Sequence, residues 1–105
     1  MSQSNTANGE AGDDTLFHYR QRDNTIWATY EGGKVRFGTL IAVPDTAGLL
    51  CMRYQHLNQD GAFRTGVCWS APELLPDGRV RLREYWQWTS GDGSRGASVI
   101  EEVRR

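Results

Sequence analysis

The chain has 105 residues, 12 of them basic and 13 acidic, for a net charge of −1. That length bounds it to one domain with a single core. The charge balance supplies no whole-molecule field for nucleic acid or an anionic membrane, and no apolar run approaches the roughly 20 residues of a membrane span.

Residues 1–14, M-S-Q-S-N-T-A-N-G-E-A-G-D-D, are small and polar. They show neither the basic start nor the apolar stretch of a secretory signal, so a disordered lead and a cytoplasmic chain are expected. The folded domain is expected over residues 15–105. Leu16 to Arg22 alternates Phe17, Tyr19 and Gln21 against His18, Arg20 and Arg22, and Asp23-Asn24 then makes a turn. Ile26 to Glu31 forms a second strand, closed by Gly32-Gly33, and Val35 to Val43 a third, with Val35, Phe37, Thr39, Ile41 and Val43 on one parity. Leu49 to Asn58 follows, with Leu50, Met52, Tyr54 and His56 on its dry side.

The tetrad Asn58-Gln59-Asp60-Gly61 predicts a type I hairpin turn whose glycine supplies the left-handed residue of a bulge. Ala62 to Ser70 returns, with Phe63, Thr65, Val67 and Trp69 opposed to Arg64, Gly66 and Cys68. A longer connection, Ala71 to Gly78, leads to the strand from Val80. That strand sets Val80, Leu82, Glu84, Trp86 and Trp88 against Arg81, Arg83, Tyr85 and Gln87. After the glycine-rich turn Gly91 to Gly96, Ala97 to Val103 forms the last strand. Seven strands joined by short turns, with no helical period, predict an all-β antiparallel up-and-down meander of 7–8 strands that closes into a barrel to remove its edges.

On this parity the arginines Arg20, Arg36, Arg53, Arg64, Arg81 and Arg83 face outward as a solvated wall, rather than as a nucleic-acid platform. Tyr30, Tyr54, His56, Glu84 and Ser98 are expected to face inward. A buried carboxylate without a partner costs several kcal/mol or takes up a proton, so something must satisfy Glu84. One reading joins Glu84, Tyr30 and Tyr54 in an aromatic pocket built from Phe37, Trp86 and Trp88. The other places Glu84 near the barrel mouth, paired with His56 or a loop arginine. Cys51 and Cys68 fall nearly opposite one another across the hairpin and are read as free thiols, because a cross-strand disulfide is strained. No Cys/His spacing resembles a metal site.

The motifs T-Y-E-G at Thr29 to Gly32 and W-Q-W-T-S-G at Trp86 to Gly91 resemble strand ends of the avidin and streptavidin-like barrels, over roughly residues 15 to 103. The resemblance implies a ligand in the barrel mouth, as in avidin-like and lipocalin-like proteins, and a dimer or tetramer. It makes Tyr30 the ligand-binding tyrosine and Trp86 the ligand-stacking tryptophan. Tyr54 and Arg64 stand where further pocket tryptophans would be, Gly32 replaces a ligand-binding serine, and Glu101 or Glu102 replaces an aspartate. Tight biotin binding is therefore not expected. The chain is also similar to short bacterial proteins labelled N-acetylglutamate synthase, through F-H-Y, R-Y near H-L-N, P-E-L-L-P-D-G and W-Q-W-T-S-G-D. That likeness implies acetyl transfer, for which Glu84 and His56 would be the acid/base pair. The run Gly91 to Gly96, however, joins two strands instead of opening a helix toward a pyrophosphate, so no cofactor is expected. The leading expectation is a binding protein for a small, partly apolar molecule, with Tyr30, Tyr54, His56, Glu84, Trp86 and Trp88 as contacts and neither nucleic acid nor membrane as partner.

Overall fold

The structure, a computed structural model, describes residues 2–5, 10–12 and 14–102. Its strands are β1 (Ser2–Asn5), β2 (Leu16–Arg22), β3 (Thr25–Gly32), β4 (Val35–Pro44), β5 (Leu50–Asn58), β6 (Phe63–Leu74), β7 (Val80–Trp88) and β8 (Arg95–Glu101). They form one antiparallel sheet in the order β1-β8-β7-β6-β5-β4-β3-β2. From β2 to β8 each strand pairs with the next, as an up-and-down meander requires. The sheet curls until edge strands β1 and β2 come within 8 Å between Cα atoms, with no ladder between them among the described residues.

Sequence and structure differ at two places along the backbone. β6 runs on to Leu74, where a connection over Ala71 to Gly78 is expected, because Pro72 to Leu74 pair with Leu82 to Val80 and Glu73 meets both Arg81 and Arg83. Within the lead expected to be disordered, Ser2–Asn5 pairs with Ser98 to Glu101. Main-chain groups along an open edge accept any extended segment, a capacity that a polar composition does not reveal. Residues 6–9 and 13 of that lead, and 103–105 at the other end, lie outside the described residues.

Three hairpins share one construction. In each, an opening N–H and a returning carbonyl bond across the turn: Asp45 to Leu49 (2.8 Å), Asn58 to Ala62 (2.9 Å) and Leu75 to Arg79 (2.8 Å). Each turn ends on a glycine at positive φ, Gly48 (86°), Gly61 (82°) or Gly78 (87°), a region that costs a Cβ-bearing residue about 1 kcal/mol or more. The tetrad at Asn58 predicts this turn, and the other two repeat it.

The inner face departs from the expected parity on two strands. On β4 the register shifts between Val35 and Phe37, so Val35, Gly38, Leu40 and Ala42 are buried while Phe37, Ile41 and Val43 are exposed. On β6 the inward residues are Arg64, Gly66, Cys68 and Ser70, and Phe63 and Trp69 face out. Space decides both cases. The rings of Tyr30, Tyr54, Trp86 and Trp88 already fill the interior from β3, β5 and β7, so the strands between them must present small residues. Tyr30 lies across Gly38 and Tyr54 across Gly66, where an added Cβ would strike each ring. Cys51 pairs with Trp69 and Met52 with Cys68, which turns the two cysteines to opposite faces; both are free.

Candidate functional site

Successive inward residues of β7 descend from Trp88 near one rim, past Trp86, to Glu84 at mid-barrel. Glu84 pairs in register with Ser70 on one side and Ser98 on the other. Its Oε1 accepts from the Ser98 hydroxyl at 3.3 Å, while Oε2 has no partner among the described residues. Burial raises the Glu84 pKa to about 7, against the opposing bonds from Ser98 and Cys68. Around it the Tyr19 hydroxyl, Ser70 Oγ and Trp86 Nε1 are also buried, with no partner among the described residues. Burial drives the Cys68 thiol and the Tyr19 hydroxyl far up, helped by the Glu84 charge, so both stay protonated. The barrel thus holds, deep inside, a carboxyl group whose pKa burial raises to about 7, among hydroxyl and indole groups that have spare hydrogen-bonding capacity.

A second cluster closes the rim, around a residue that composition placed in the disordered lead. Glu10 Oε1 accepts from His56 Nε2 at 2.7 Å, and Oε2 from Arg64 Nη1 at 3.1 Å and Asn58 Nδ2 at 3.1 Å. Burial raises the Glu10 pKa, but the bonds from His56 and Asn58 and the neighbouring charges outweigh it, so the carboxyl lies below its ordinary value. Burial lowers the His56 pKa despite Glu10. With Nε2–H donating to Glu10, Nδ1 of a neutral imidazole accepts from the Tyr30 hydroxyl at 2.9 Å, which also lies 3.3 Å from the Gln55 carbonyl. Arg64 supplies the positive charge. Its guanidinium lies 4.0 Å over the Trp88 ring, a contact worth about 0.5–2 kcal/mol, and its Nε reaches Ser90 Oγ at 3.3 Å. Ser90, from the T-S-G turn, also accepts from Thr65 N–H at 3.1 Å.

Between the two clusters lies a cavity of about 50 Å³, whose wall includes Tyr30, Tyr54, His56, Glu84, Trp86 and Trp88. All six residues singled out from the sequence therefore border one space. At roughly 10–15 Å³ for each water centre, that space holds a few waters or a very small ligand. The ring of Tyr54 stands edge-on to Trp88 at 5.6 Å between centroids, and Trp86 and Trp88 are 5.4 Å apart. Glu10 and Ala11 complete the wall at the rim.

Several expectations are corrected. Phe37 is outside the pocket, on the exposed face. Glu84 sits at depth and bonds Ser98, so it pairs with neither His56 nor an arginine, and the two side chains an acid/base mechanism would couple have separate partners. Arg64 belongs to the inner rim instead of the outer wall. Glu101 faces outward to Arg81 at 3.0 Å, so it does not take the place of a pocket aspartate. Parity put Arg64 on the outer wall while the family resemblance put it at a pocket position, where the structure has it; the residues that sequence reasoning missed are Glu10 and Asn58 at the rim and Tyr19, Cys68 and Ser70 below. A recognisable signal existed for Arg64, Cys68 and Ser70: they share a parity with Gly66, which must lie beneath a ring. None existed for Glu10.

No curated protein and no solved structure matches the chain. The family model for "Avidin-like protein" matches residues 1–103, a span that takes in the rim carboxylate and β1 as well as the meander. Together with the curled antiparallel sheet and the inward rings of Tyr30 and Trp86, that match shows that the chain belongs to the avidin-like protein family.

Proposed function

We propose that this barrel binds a small, partly apolar molecule in the cavity bordered by Tyr30, Tyr54, His56, Glu84, Trp86 and Trp88. The observation that carries this reading is the group of buried polar atoms with no partner among the described residues, Glu84 Oε2, Trp86 Nε1, Ser70 Oγ and the Tyr19 hydroxyl, beside an aromatic-walled space. Each such atom forfeits about 1–3 kcal/mol while unsatisfied, and a ligand carrying a donor and an acceptor on an apolar body recovers that energy. Family membership supports ligand binding in general terms. Biotin is a poor fit, because Gly32 offers no hydroxyl and Arg64 and Glu10 occupy the rim.

The test is thermal unfolding of the full chain with a panel of small amphiphiles, neutral and acidic, with biotin as comparator. A ligand at a hundredfold its dissociation constant adds about 2.7 kcal/mol. A saturable rise in Tm with at least one small amphiphile, and none with biotin, is expected. A panel without effect, together with a crystal structure in which ordered water satisfies all four atoms, contradicts the reading.

The outer surface supports a dimer or tetramer of the kind common among avidin-like proteins. Val43, Cys51, Trp69 and Tyr85 form one cross-strand row over β4 to β7, and Trp69 and Tyr85 are 46% and 61% exposed.

A further inference from the structure

Glu10 makes charge-assisted or polar bonds to three rim residues, yet the groups that meet it have other contacts that hold them in position. His56 is oriented by the Tyr30 hydroxyl on its other nitrogen. Asn58 is fixed by its own oxygen, which accepts from the N–H groups of Asp60 (3.1 Å) and Ala62 (2.9 Å) in the hairpin, so its amide nitrogen must point at Glu10. Arg64 is held between the Trp88 face and Ser90. Three donors are therefore preorganised around a space of defined shape, and preorganisation is what distinguishes a receptor from a chance ion pair.

The shape and charge of that space select its occupant. The donors meet two oxygens from three sides: His56 on one, Arg64 on the other, and the Asn58 amide on both, at 3.4 and 3.1 Å. This arrangement fits the two oxygens of a carboxylate. Arg64 is a permanent cation facing one anion, and burial lowers the His56 pKa. The side chain of Glu10 is 16% exposed, so rotation about its own bonds carries the carboxylate into water. The chain behind it stays anchored, through Gly12 N–H to Thr15 Oγ1 (3.0 Å) and Thr15 Oγ1 to the Gly32 carbonyl (3.1 Å). Because Glu10 and Ala11 are part of the cavity wall, removing the Glu10 side chain joins the cradle to the aromatic cavity.

We propose that His56, Asn58 and Arg64 form a receptor for the carboxylate of a small organic acid, and that Glu10 is its built-in occupant, displaced when the acid's apolar body enters between Tyr54, Trp86 and Trp88. This rests on the ligand-binding reading above and names the ligand class and its competitor. A tethered competitor has an effective concentration in the millimolar range, and a site that is open for a fraction of the time loses apparent affinity by that fraction. The chain therefore admits an acid only when its apolar body adds to what Glu10 already supplies.

The experiment uses the full chain and four probes: acetate, hexanoate, hexanamide and hexan-1-ol, titrated by calorimetry into the wild type and Glu10→Ala. Hexanoate is expected to bind Glu10→Ala at least tenfold more tightly than the wild type, and at least tenfold more tightly than either neutral probe. Acetate is expected to raise the Tm of Glu10→Ala saturably while leaving the wild type unchanged. Arg64→Gln in the Glu10→Ala background removes the preference for hexanoate. Should Glu10→Ala fail to fold, Glu10→Gln, which keeps an acceptor for Asn58, is expected to show the same preference for hexanoate. Equal hexanoate affinity with and without the Glu10 carboxylate overturns the displacement. Neutral probes that bind Glu10→Ala as tightly as hexanoate overturn the carboxylate receptor and leave the ligand-binding reading standing. Failure of hexanoate and acetate alike overturns the whole proposal, and the amphiphile panel then decides separately whether the cavity binds anything.

Discussion

Glu84 carries a cost that the rest of the barrel tolerates. Its carboxyl is surrounded by groups that remain uncharged, Ser98, Cys68, Ser70 and Tyr19, so its pKa rises from 4.5 to about 7 through burial. The folded state then holds a proton that the unfolded state has released between those two values, and stability falls as pH rises through that window. At about 1.4 kcal/mol per pH unit, the loss is roughly 3 kcal/mol by pH 8. His56 acts in the opposite sense: its lowered pKa removes stability as pH falls below 6.5. The wild-type profile therefore mixes the two, and the difference between wild type and Glu84→Gln isolates the carboxyl. Chemical denaturation is expected to show Glu84→Gln gaining on the wild type by roughly 3 kcal/mol between pH 5 and pH 8. A difference that does not change with pH means that Glu84 is already paired in solution. Glu10 belongs to the same scale but acts in acid. Its lowered pKa gives stability that is present above about 4.5 and is lost as pH falls toward the folded-state value.

Among elements, the strands were legible and their faces only partly so. Alternation marked β2, β3, β5 and β7 correctly, because each carries large inward residues such as Phe17, Tyr30, Met52 and Trp86 beside polar outward ones. It failed on β4 and β6 because apolar character there marks the outer face. Ile41, Val43, Phe63 and Trp69 are exposed, while Gly38, Gly66, Cys68 and Ser70 face the crowded interior. The sign of the pattern depends on what the neighbouring strands contribute, and only the register, Tyr30 against Gly38 and Tyr54 against Gly66, settles it. The same pairing makes a prediction. Gly66→Ala restricts the unfolded chain, which alone would stabilise by about 0.4–1 kcal/mol, but its Cβ strikes the Tyr54 ring, an overpacking cost of about 1–3 kcal/mol. The clash wins, and Tm is expected to fall. Tyr54→Leu added to Gly66→Ala should recover part of that loss in a double-mutant cycle; strict additivity of the two changes would show that the ring does not feel the glycine. The rim was illegible for a different reason: Glu10 reaches His56, Asn58 and Arg64 across sequence separations of 46 to 54 residues, and nothing in a polar lead marks one glutamate above its neighbours.

At the scale of the whole molecule the barrel divides its labour between two surfaces. Outside, Arg81 and Arg83 are matched by Glu73 and Glu101 on the flanking strands at 3.0 to 3.3 Å, surface pairs worth little each. Beside them runs the apolar row through Trp69 and Tyr85. If that row joins chains, light scattering will report a dimer or tetramer for the wild type and a monomer for Trp69→Glu; the same mass for both variants removes the row from any interface. Inside, two clusters stand at either end of a small aromatic cavity, which we propose is a single ligand path with the Glu10 carboxylate at its gate and the Glu84 carboxyl at its floor. That path is the central claim, and Trp86 reports on it most directly, because its indole N–H is buried against the cavity without a partner. The decisive measurement is the indole ¹⁵N–¹H spectrum of the four tryptophans, with Trp86 assigned through Trp86→Phe, recorded as each stabilising amphiphile is added. A saturable shift of the Trp86 resonance, as its N–H gains an acceptor, is the predicted result. Shifts confined to the exposed Trp69, or a Trp86 resonance that stays in place while Tm rises, would contradict it.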